Sequence, residues 1–369
     1  NNHRIFSPIQ IAMKQTHIFL SLLFCLLAGS VSAQQFTVSG TIIDSASREP
    51  LSAASVFCQN TTIGTTTNRE GQFSLQLRSG GYELIITYTG YRTRLIRISQ
   101  ADNVLPPIEM VKEDRSMSEV VIKSSNEVPD GWEKYGRFFF EQFVGSTPNA
   151  AQCTLENPDV LKFYFLKKSN KLRVLATEPL KVTNRALGYK LTYNLDSFVY
   201  YYNTDISLYK GYCLFSPMDS SFSMMKTWSA NRGKAYMGSK LHFMRSYYDS
   251  TMQQEGFRIG LLDEKNNTLF NTIANVYDST YYGAVDSTGE VEIWFPRKIS
   301  VTYERRPEPE YLMRFKLPKD VPVQISYVDI KNWIAIKENG YYYDQRDWIN
   351  QGYWSWKNIA DLLPYDYIP

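Results

Sequence analysis

Residues 71–90 read GQFSLQLRSGGYELIITYTG, and this stretch decides the fold class. Apolar and polar side chains alternate along it on both sides of Gly80-Gly81. The predicted inward row consists of Phe73, Leu75, Leu77, Tyr82, Leu84, Ile86 and Tyr88. A period of two residues interrupted by glycines is typical of antiparallel strands joined by a tight turn, and it argues against an amphipathic helix.

The same pattern continues on both sides of this hairpin. Val38 and Ile42 share one face ahead of a turn at Asp44-Ser45. Seven short strands within residues 35–111 predict a two-sheet β-sandwich. The strand at residues 92–98 carries three arginines. Its basic edge either deters pairing with other strands or contacts acidic glycans or lipid head groups.

Turn and core positions of this module fall in a recognisable order. They are Val38, Gly40, Ile42, Asp44, Pro50-Leu51, Ala54, Val56, Gly64-Thr65-Thr66, Asn68, Gly71, Phe73, Tyr88, Gly90 and Tyr91. Their order resembles that of the carboxypeptidase-regulatory-like domain, a transthyretin-type sandwich. The resemblance implies a place beside metallocarboxypeptidases or at the front of outer-membrane nutrient receptors of the Bacteroidota. It implies no peptidase activity, because a zinc peptidase needs several ligands converging on the metal.

The first 33 residues have the features of an export signal. Lys14 gives a positive start after Met13, residues 18–27 are apolar apart from Ser21, and small residues end at Ala33. We predict upstream residues and then a signal peptide that is cleaved after Ala33. The mature chain is expected to be periplasmic or outer-membrane-associated. No later stretch reaches the roughly 20 apolar residues needed to span a bilayer.

Charge and cysteine content narrow the functional classes. Removal of residues 1–33 takes two of the 40 basic residues and no acidic one, which leaves 38 basic against 37 acidic residues. This near-neutral balance argues against a nucleic-acid partner. Cys58 is predicted to be a buried thiol, and Cys153 with Cys213 is the one pair considered for a disulfide.

Residues 112–132 are predicted to be a linker. Within it, residues 117–122 have the sequence MSEVVI. This hexamer resembles the segment that follows the same sandwich in TonB-dependent receptors, where an extended peptide pairs with TonB. The resemblance implies a strand that is free to pair with a partner. The alternative is a structural strand inside the linker.

Residues 133–369 are predicted to form an α+β domain with a long antiparallel sheet and a few helices, so the fold class is mainly β. Helices are expected over residues 132–144 and 226–254, because their apolar residues recur at helical spacing. A short helix stopped by proline is expected within residues 352–367. Strands are predicted over residues 160–166, 171–177, 186–202, 206–215, 291–304 and 311–315.

The C-terminal part also carries a resemblance. Its residues are Asn157-Pro158, Leu187-Gly188-Tyr189, Asn231-Arg232, Ala235-Tyr236, Gly238-Ser239, His242-Phe243, Arg245, Gly256-Phe257 and the stretch 352–367. This set resembles the region found behind the same sandwich in exported Bacteroidota proteins of unknown role. The resemblance implies a fold for this half of the chain but no activity.

The second predicted helix offers one candidate site. Its polar side chains are Arg232, Ser239, His242, Arg245, Ser246 and Asp249. We consider Arg232, Ser239, His242 and Arg245 as ligands for an anionic or sugar molecule, with His242 able to act as a general acid or base. The alternative is a polar helix face that packs on a sheet with its groups satisfied.

Aromatic residues near the C-terminus offer a second candidate. Tyr342, Trp348 and Trp354, together with their aromatic neighbours, are able to form a flat platform on which sugars stack. The alternative is that these rings fill the interface between the last helix and the sheet. Both alternatives are consistent with the sequence.

No catalytic, metal or cofactor site is predicted. The pattern G-x-S-x-G of hydrolases is absent from the sequence, and the mature chain has a single histidine, His242. Two catalytic alternatives remain open. One pairs His242 with Cys153 or Cys213, and the other uses paired carboxylates. The acidic pairs considered are Asp263-Glu264 and Glu308 with Glu310.

These features together predict a non-catalytic binding or scaffold component of the cell envelope, which contacts a protein or a glycan there. One alternative function is an exported hydrolase that uses clustered carboxylates or His242. Another is an accessory role in a TonB-dependent receptor system. The two alternatives differ in what they require, since the first needs a polar pocket and the second needs residues 117–122 to be exposed.

Overall fold

The structure is a computed structural model, and it describes residues 35–99, 103–113, 126–263, 268–285, 287–343 and 347–369. The predicted signal peptide, residues 117–122 and Glu264 lie outside the described residues. The described chain is mainly β, with several antiparallel sheets and a few helices, so the predicted fold class is confirmed. Within these ranges, no helix is long and apolar enough to cross a membrane.

Seven strands form the N-terminal sandwich. They are β1 Gln35–Asp44, β2 Ser55–Cys58, β3 Gly64–Thr66, β4 Gln72–Arg78, β5 Tyr82–Thr87, β6 Arg94–Ile98 and β7 Ile108–Met110. The two sheets have the orders β4-β1-β7 and β3-β2-β5-β6. On β4, Phe73, Leu75 and Leu77 are buried while the residues between them are exposed, which confirms the alternation predicted for residues 71–90.

A helix and a six-stranded sheet follow. The elements are α1 Gly131–Phe143, β8 Cys153–Leu155, β9 Leu161–Leu166, β10 Lys171–Ala176, β11 Leu180–Asn184, β12 Tyr189–Tyr201 and β13 Ile206–Pro217. The strand order is β8-β11-β12-β10-β9, and β13 pairs with β12. Phe139 and Phe143 of α1 are fully buried in the core on one face, which we call the inner face. The outer face is the opposite one.

The longest strand, β12, contains a β-bulge that the alternating sequence pattern did not predict. The register with β13 shifts between Leu195 and Ser197. The bulged residue at position 196 keeps Leu195 and Phe198 on the inner face, where both are buried. A strict period of two would have turned Phe198 to the outer face.

The remaining elements form the C-terminal unit. They are α2 Phe222–Tyr236, α3 Lys240–Tyr248, β14 Phe257–Leu262, β15 Leu269–Thr272, β16 Tyr282–Val285, β17 Glu290–Ile293, β18 Ile299–Tyr303, α4 Pro309–Arg314, β19 Gln324–Ile330, β20 Ile334–Ile336, β21 Trp348–Gly352 and α5 Tyr353–Trp356. Its sheets have the orders β15-β14-β18-β19-β21 and β16-β17-β20. Phe243 and Tyr247 of α3 pack in the core of this unit.

Three predicted elements of the C-terminal half are corrected. The single helix over residues 226–254 is wrong, because α2 ends and α3 begins around Gly238, whose φ is +79°. Ser239 then caps α3 by accepting from the amide of His242. The strand over residues 311–315 is α4, which starts with Pro309 in its first turn. The strand over residues 291–304 is split into β17 and β18.

Candidate functional site

The sandwich is joined to the six-stranded sheet by main-chain hydrogen bonds. The amide of Asn60 donates to the carbonyl of Cys213 at 2.7 Å, and the amide of Phe215 donates to the carbonyl of Thr61 at 2.9 Å. The loop after β2 therefore lies beside β13 as a short parallel bridge. Main-chain bonds between strands fix position and register at once.

Apolar side chains pack next to these bonds. Phe57 and Ile85 turn away from the sandwich core and are 1% and 0% exposed. They form one cluster with Tyr212 and Leu214 of the outer face. Burial of side chains of this size contributes roughly 1.5–3 kcal/mol each. The sandwich is therefore packed on the sheet and is not merely tethered to it.

A second contact lies at the turn between β4 and β5. The amide of Gly81 donates to Oδ1 of Asn339 at 3.1 Å, and Nδ2 of Asn339 donates to the carbonyl of Gly81 at 3.0 Å. A Cβ at Gly81 would lie 2.4 Å from Cγ of Lys337, so this turn needs glycine. The Arg97 guanidinium lies 4.1 Å from the ring centre of Tyr343. The C-terminal unit thus holds the sandwich as well.

The last residues of the chain make a third contact. The amide of Tyr365 donates to the carbonyl of Asn60 at 2.7 Å. The carboxylate of Asp366 accepts from the amide of Thr62 at 2.9 Å and also from the Thr62 hydroxyl. The loop after β2 is therefore bonded to β13 on one side and to the C-terminal segment on the other. We call these three contacts the junction.

Arg245 of α3 connects the segments that form the junction. Its Nε donates to the carbonyl of Asn339 at 3.1 Å, and its Nη2 donates to the carbonyl of Tyr365 at 2.9 Å. Asn339 and Tyr365 in turn bond to the sandwich. One half-buried guanidinium with fixed fork geometry therefore positions both Asn339 and Tyr365.

Arg232 is used inside the protein rather than at a free surface. Three side chains of α2 donate to four successive carbonyls of the turn at residues 185–188. The bonds run from Trp228 to Arg185, from Asn231 to Ala186, and from Arg232 to Leu187 and Gly188, at 2.7–3.1 Å. The Arg232 guanidinium also lies 4.0 Å from the ring centre of Tyr189. Arg232 is thus in contact with Leu187, Gly188 and Tyr189.

His242 is buried and both of its ring nitrogens are engaged. Nδ1 accepts from the amide of Gly238 at 3.1 Å, which places the proton on Nε2, and Nε2 lies 3.1 Å from Oε2 of Glu255. Burial lowers the pKa of His242 below its ordinary value, and the hydrogen bond to Glu255 works against this shift. The neutral ring therefore fixes the break between α2 and α3.

The predicted aromatic residues are buried. Tyr342, Trp348 and Trp354 are 2%, 4% and 6% exposed. Trp354 donates from Nε1 to the carbonyl of Gly238 at 2.8 Å, and Lys240 donates to the Tyr342 hydroxyl at 2.8 Å. An exposed stacking platform at these residues is therefore wrong, because the rings fill the core between α3 and the sheet. This is the alternative that the sequence left open.

Glu308 and Asp361 share one lysine, Lys357. Lys357 lies 3.0 Å from Glu308 and 3.7 Å from Asp361. Burial raises the pKa of Asp361, although Lys357, Thr147 and Asn149 oppose the shift. Burial also acts to raise the pKa of Glu308, but Lys357 and Tyr353 outweigh it and the net shift is downward. Glu310, the predicted partner of Glu308, lies on the exposed side of α4.

Comparison with known proteins bears on the first module. Residues 38–122 match the CarboxypepD_reg-like domain. The chain is also 30% identical over 115 residues to the TonB-dependent receptor SusC of Bacteroides thetaiotaomicron, a match that covers 30% of this chain and 11% of that protein. The chain thus spans about a tenth of the length of this curated relative.

Two solved structures show distant similarity to parts of the chain. One is a type II cohesin–X-dockerin complex from Acetivibrio cellulolyticus, 29% identical, covering 21% of this chain and 59% of that one, with a TM-score of 0.19. Another is the pilus 2b backbone protein of group B streptococcus, 15% identical, covering 22% of this chain and 43% of that one, with a TM-score of 0.18. Both TM-scores are too low to relate the folds.

The residues that hold the CarboxypepD_reg-like domain in place were missed from the sequence. They are Phe57, Ile85, Tyr212, Leu214, Asn339 and Asp366. A signal for two of them was present, because Val56-Phe57-Cys58 and Leu84-Ile85-Ile86 are uninterrupted apolar runs. Such runs are typical of strands that are buried on both faces. Asn339 and Asp366 have no such signal.

The three cysteines among the described residues are free thiols. Cys58 and Cys213 are buried, and Cys153 is half-buried. The considered Cys153–Cys213 disulfide is therefore wrong, because the two residues lie on β8 and β13, with β11 and β12 between these strands in the same sheet. Burial raises the pKa of Cys153 to about 12. In the described ranges, no group of three or more His, Cys, Asp or Glu residues is arranged to hold a metal ion.

Proposed function

We propose that the protein is a non-catalytic binding or scaffold component of the cell envelope. The observation that carries the proposal is the junction. The CarboxypepD_reg-like domain is held through main-chain bonds, apolar packing and the C-terminal segment, as a rigid part of a larger surface. A rigid surface suits binding, because partners that are already ordered lose less entropy on association.

The contacts of the candidate site residues support the same proposal. Arg232, Arg245, Ser239 and His242 each make hydrogen bonds within the protein, to turns, helix ends or the junction. The thiols have raised pKa values, which lowers the thiolate fraction that a nucleophile needs. In this proposal these residues build the surface and do not form the binding site.

The envelope location rests on two lines of support. The first is the match with the CarboxypepD_reg-like domain and with part of SusC. The second is the signal-like sequence that ends at Ala33. Expression of the full chain in a Bacteroidota host, followed by cell fractionation and N-terminal sequencing, tests this part. We expect an envelope protein that begins at Gln34, whereas an uncleaved cytoplasmic protein would overturn it.

A binding screen tests the function itself. Chain 34–369 is offered to glycan and peptide arrays, and every bound compound is then examined for turnover. We expect binding without chemical change. A product whose formation is lost in both Glu308→Gln and Asp361→Asn, while the exposed control Glu304→Gln remains active, would instead establish the hydrolase alternative.

An accessory role in a TonB-dependent receptor system is a second candidate, which the partial match with SusC favours. Residues 117–122 would then pair with a partner strand. Deletion of residues 117–122 should abolish co-purification with a receptor or with TonB, while a scrambled sequence of the same length serves as control. Unchanged co-purification in both variants would contradict this role.

A further inference from the structure

The outer face of the six-stranded sheet has a part that the sandwich leaves open. On it, Thr183 lies opposite Lys190, and Lys190 lies opposite Ser216. Lys181 lies opposite Thr192 in the next row. These residues line a concave region of about 550 Å³. This volume lies within the range of pockets that hold small ligands.

The charges in this groove are unbalanced. Its charged residues are Lys181, Arg185, Lys190 and Glu156, which gives an excess of two positive charges. Within the described part of the chain, Lys181 and Lys190 have no ion-pair partner. Two other lysines on the outer face are paired, since Lys210 lies 3.3 Å from Asp196 and Lys162 lies 3.8 Å from Glu127. Lys181 and Lys190 therefore differ from Lys210 and Lys162 in having no carboxylate partner among the described residues.

The floor between these cations is hydroxylated. Thr183, Thr192 and Ser216 line the groove beside Lys181 and Lys190. Arg185 donates a hydrogen bond to the Thr154 hydroxyl at 2.8 Å, which holds it at the rim. The described residues that line the groove include no aromatic ring. Neutral sugars are commonly held by stacking on such rings, so this groove suits a ligand that is held by charge and by hydroxyl groups.

The backbone beneath the groove favours a saccharide over a peptide. β11 is paired with β8 and β12, and β12 is paired with β11 and β13 in this region. Both edges of β11 and of β12 are occupied in this region, so an extended peptide finds no main-chain partner on these two strands. Side chains alone must bind the ligand, which agrees with a polyhydroxylated anion.

We propose that the groove of Lys181, Lys190 and Arg185 on the outer sheet face binds acidic oligosaccharides, through their carboxylates or sulfates. This inference rests on the proposed binding function and names its ligand class. Lys181 and Lys190 pair with successive acidic groups of the sugar chain. Thr183, Thr192 and Ser216 exchange hydrogen bonds with the hydroxyl groups between them.

Calorimetric titration of chain 34–369 with trigalacturonate tests the proposal. The double variant Lys181→Ala/Lys190→Ala should bind at least about tenfold more weakly. The matched control is Lys167→Ala/Lys168→Ala, which removes the same charge from an exposed turn beyond the far end of the sheet. It should bind as the wild type does. Thermal unfolding of both variants checks that the fold is retained.

Two further probes complete the test. The trimethyl ester of trigalacturonate keeps every sugar hydroxyl group but loses the charge, so it should not bind. A tri-aspartate peptide with both ends capped keeps the three negative charges but lacks the hydroxyl groups, so it should bind more weakly than trigalacturonate. Equal binding of either probe, equal loss in both double variants, or no binding of trigalacturonate would overturn the proposal. If trigalacturonate does not bind but other glycans or peptides of the arrays do, this proposal fails and the proposed binding function stands.

Discussion

Two parts of one sheet face behave differently in this protein. On the outer face, Tyr212 and Leu214 are covered by Phe57 and Ile85 of the sandwich. On neighbouring strands of the same face, Lys181 and Lys190 are exposed. The covered part joins two modules, and the open part remains accessible to a ligand. The difference teaches that the side chains at the outward positions decide which part of a sheet is packed and which is left open.

The covered part should be the more sensitive to truncation, and Phe57→Ala tests this most strongly. Phe57 is 1% exposed, so its loss leaves a cavity between the modules and should lower the free energy of unfolding by about 3 kcal/mol. Urea unfolding followed by circular dichroism measures the change. Tyr212→Ala, on the opposite side of the contact, should destabilise the intact chain as well.

Lys190→Ala in the open part is the matched comparison. An exposed side chain without an ion pair should change the free energy of unfolding by no more than about 0.5 kcal/mol. Leu95→Ala, an exposed apolar residue on β6, serves as a second control with a small effect. Similar losses for Phe57→Ala and Lys190→Ala would remove the distinction between the two parts.

Arg245→Ala should give the next largest effect. It removes two charge-assisted hydrogen bonds to the carbonyls of Asn339 and Tyr365, and we expect a loss of about 2 kcal/mol. Arg258 is a suitable control, because its pair with Glu304 is exposed. Arg258→Ala should cost less than about 1 kcal/mol. Equal costs would show that Arg245 does not connect the junction.

The contact between Thr62 and Asp366 should contribute less. A double-mutant cycle with Thr62→Val and Asp366→Asn should give a coupling energy of about 1 kcal/mol, because the side-chain bond is half-buried. The backbone bond from the Thr62 amide is retained in part by the asparagine. A coupling energy of zero would mean that the C-terminal segment lies against the sandwich without holding it.

Sequence patterns predicted the elements well where one face of an element is buried. The β4 alternation and the helix α1 are examples, because their periods of two and 3.6 residues report a single buried face. The break at Gly238 was not predicted. Both sides of α3 are buried, so its apolar residues fitted a single helix over residues 226–254. The sequence signal for this break was Gly238 itself, which has a positive φ in the structure.

The candidate site was predicted less well for a physical reason. Polar residues such as Arg232 and His242 were identified as interacting groups, and they do interact, but with carbonyls and a carboxylate of the same chain. Sequence spacing on one helix carries no information about distant partners. The partners of Arg245 are 94 and 120 residues away in sequence. Only the fold brings them together.

The smallest predicted effect is a pH dependence of the free energy of unfolding. It arises from His242 at the break between α2 and α3. Burial lowers the pKa of His242 in the folded protein, whereas the unfolded chain keeps the ordinary value near 6.5. As pH falls through that value, the unfolded state binds the proton first, so the free energy of unfolding should decrease. The contribution is fully present above pH 6.5 and is lost below it.

The sign of this effect separates His242 from Asp361. Burial raises the pKa of Asp361, so its protonation should make folding more favourable as pH falls, opposite to His242. The comparison must therefore be made between variants at pH 7 and pH 5. His242→Gln should lose less stability over this interval than the wild type, while Lys190→Ala should lose as much as the wild type. The same pH slope in His242→Gln and the wild type would show that this imidazole keeps its ordinary pKa on folding.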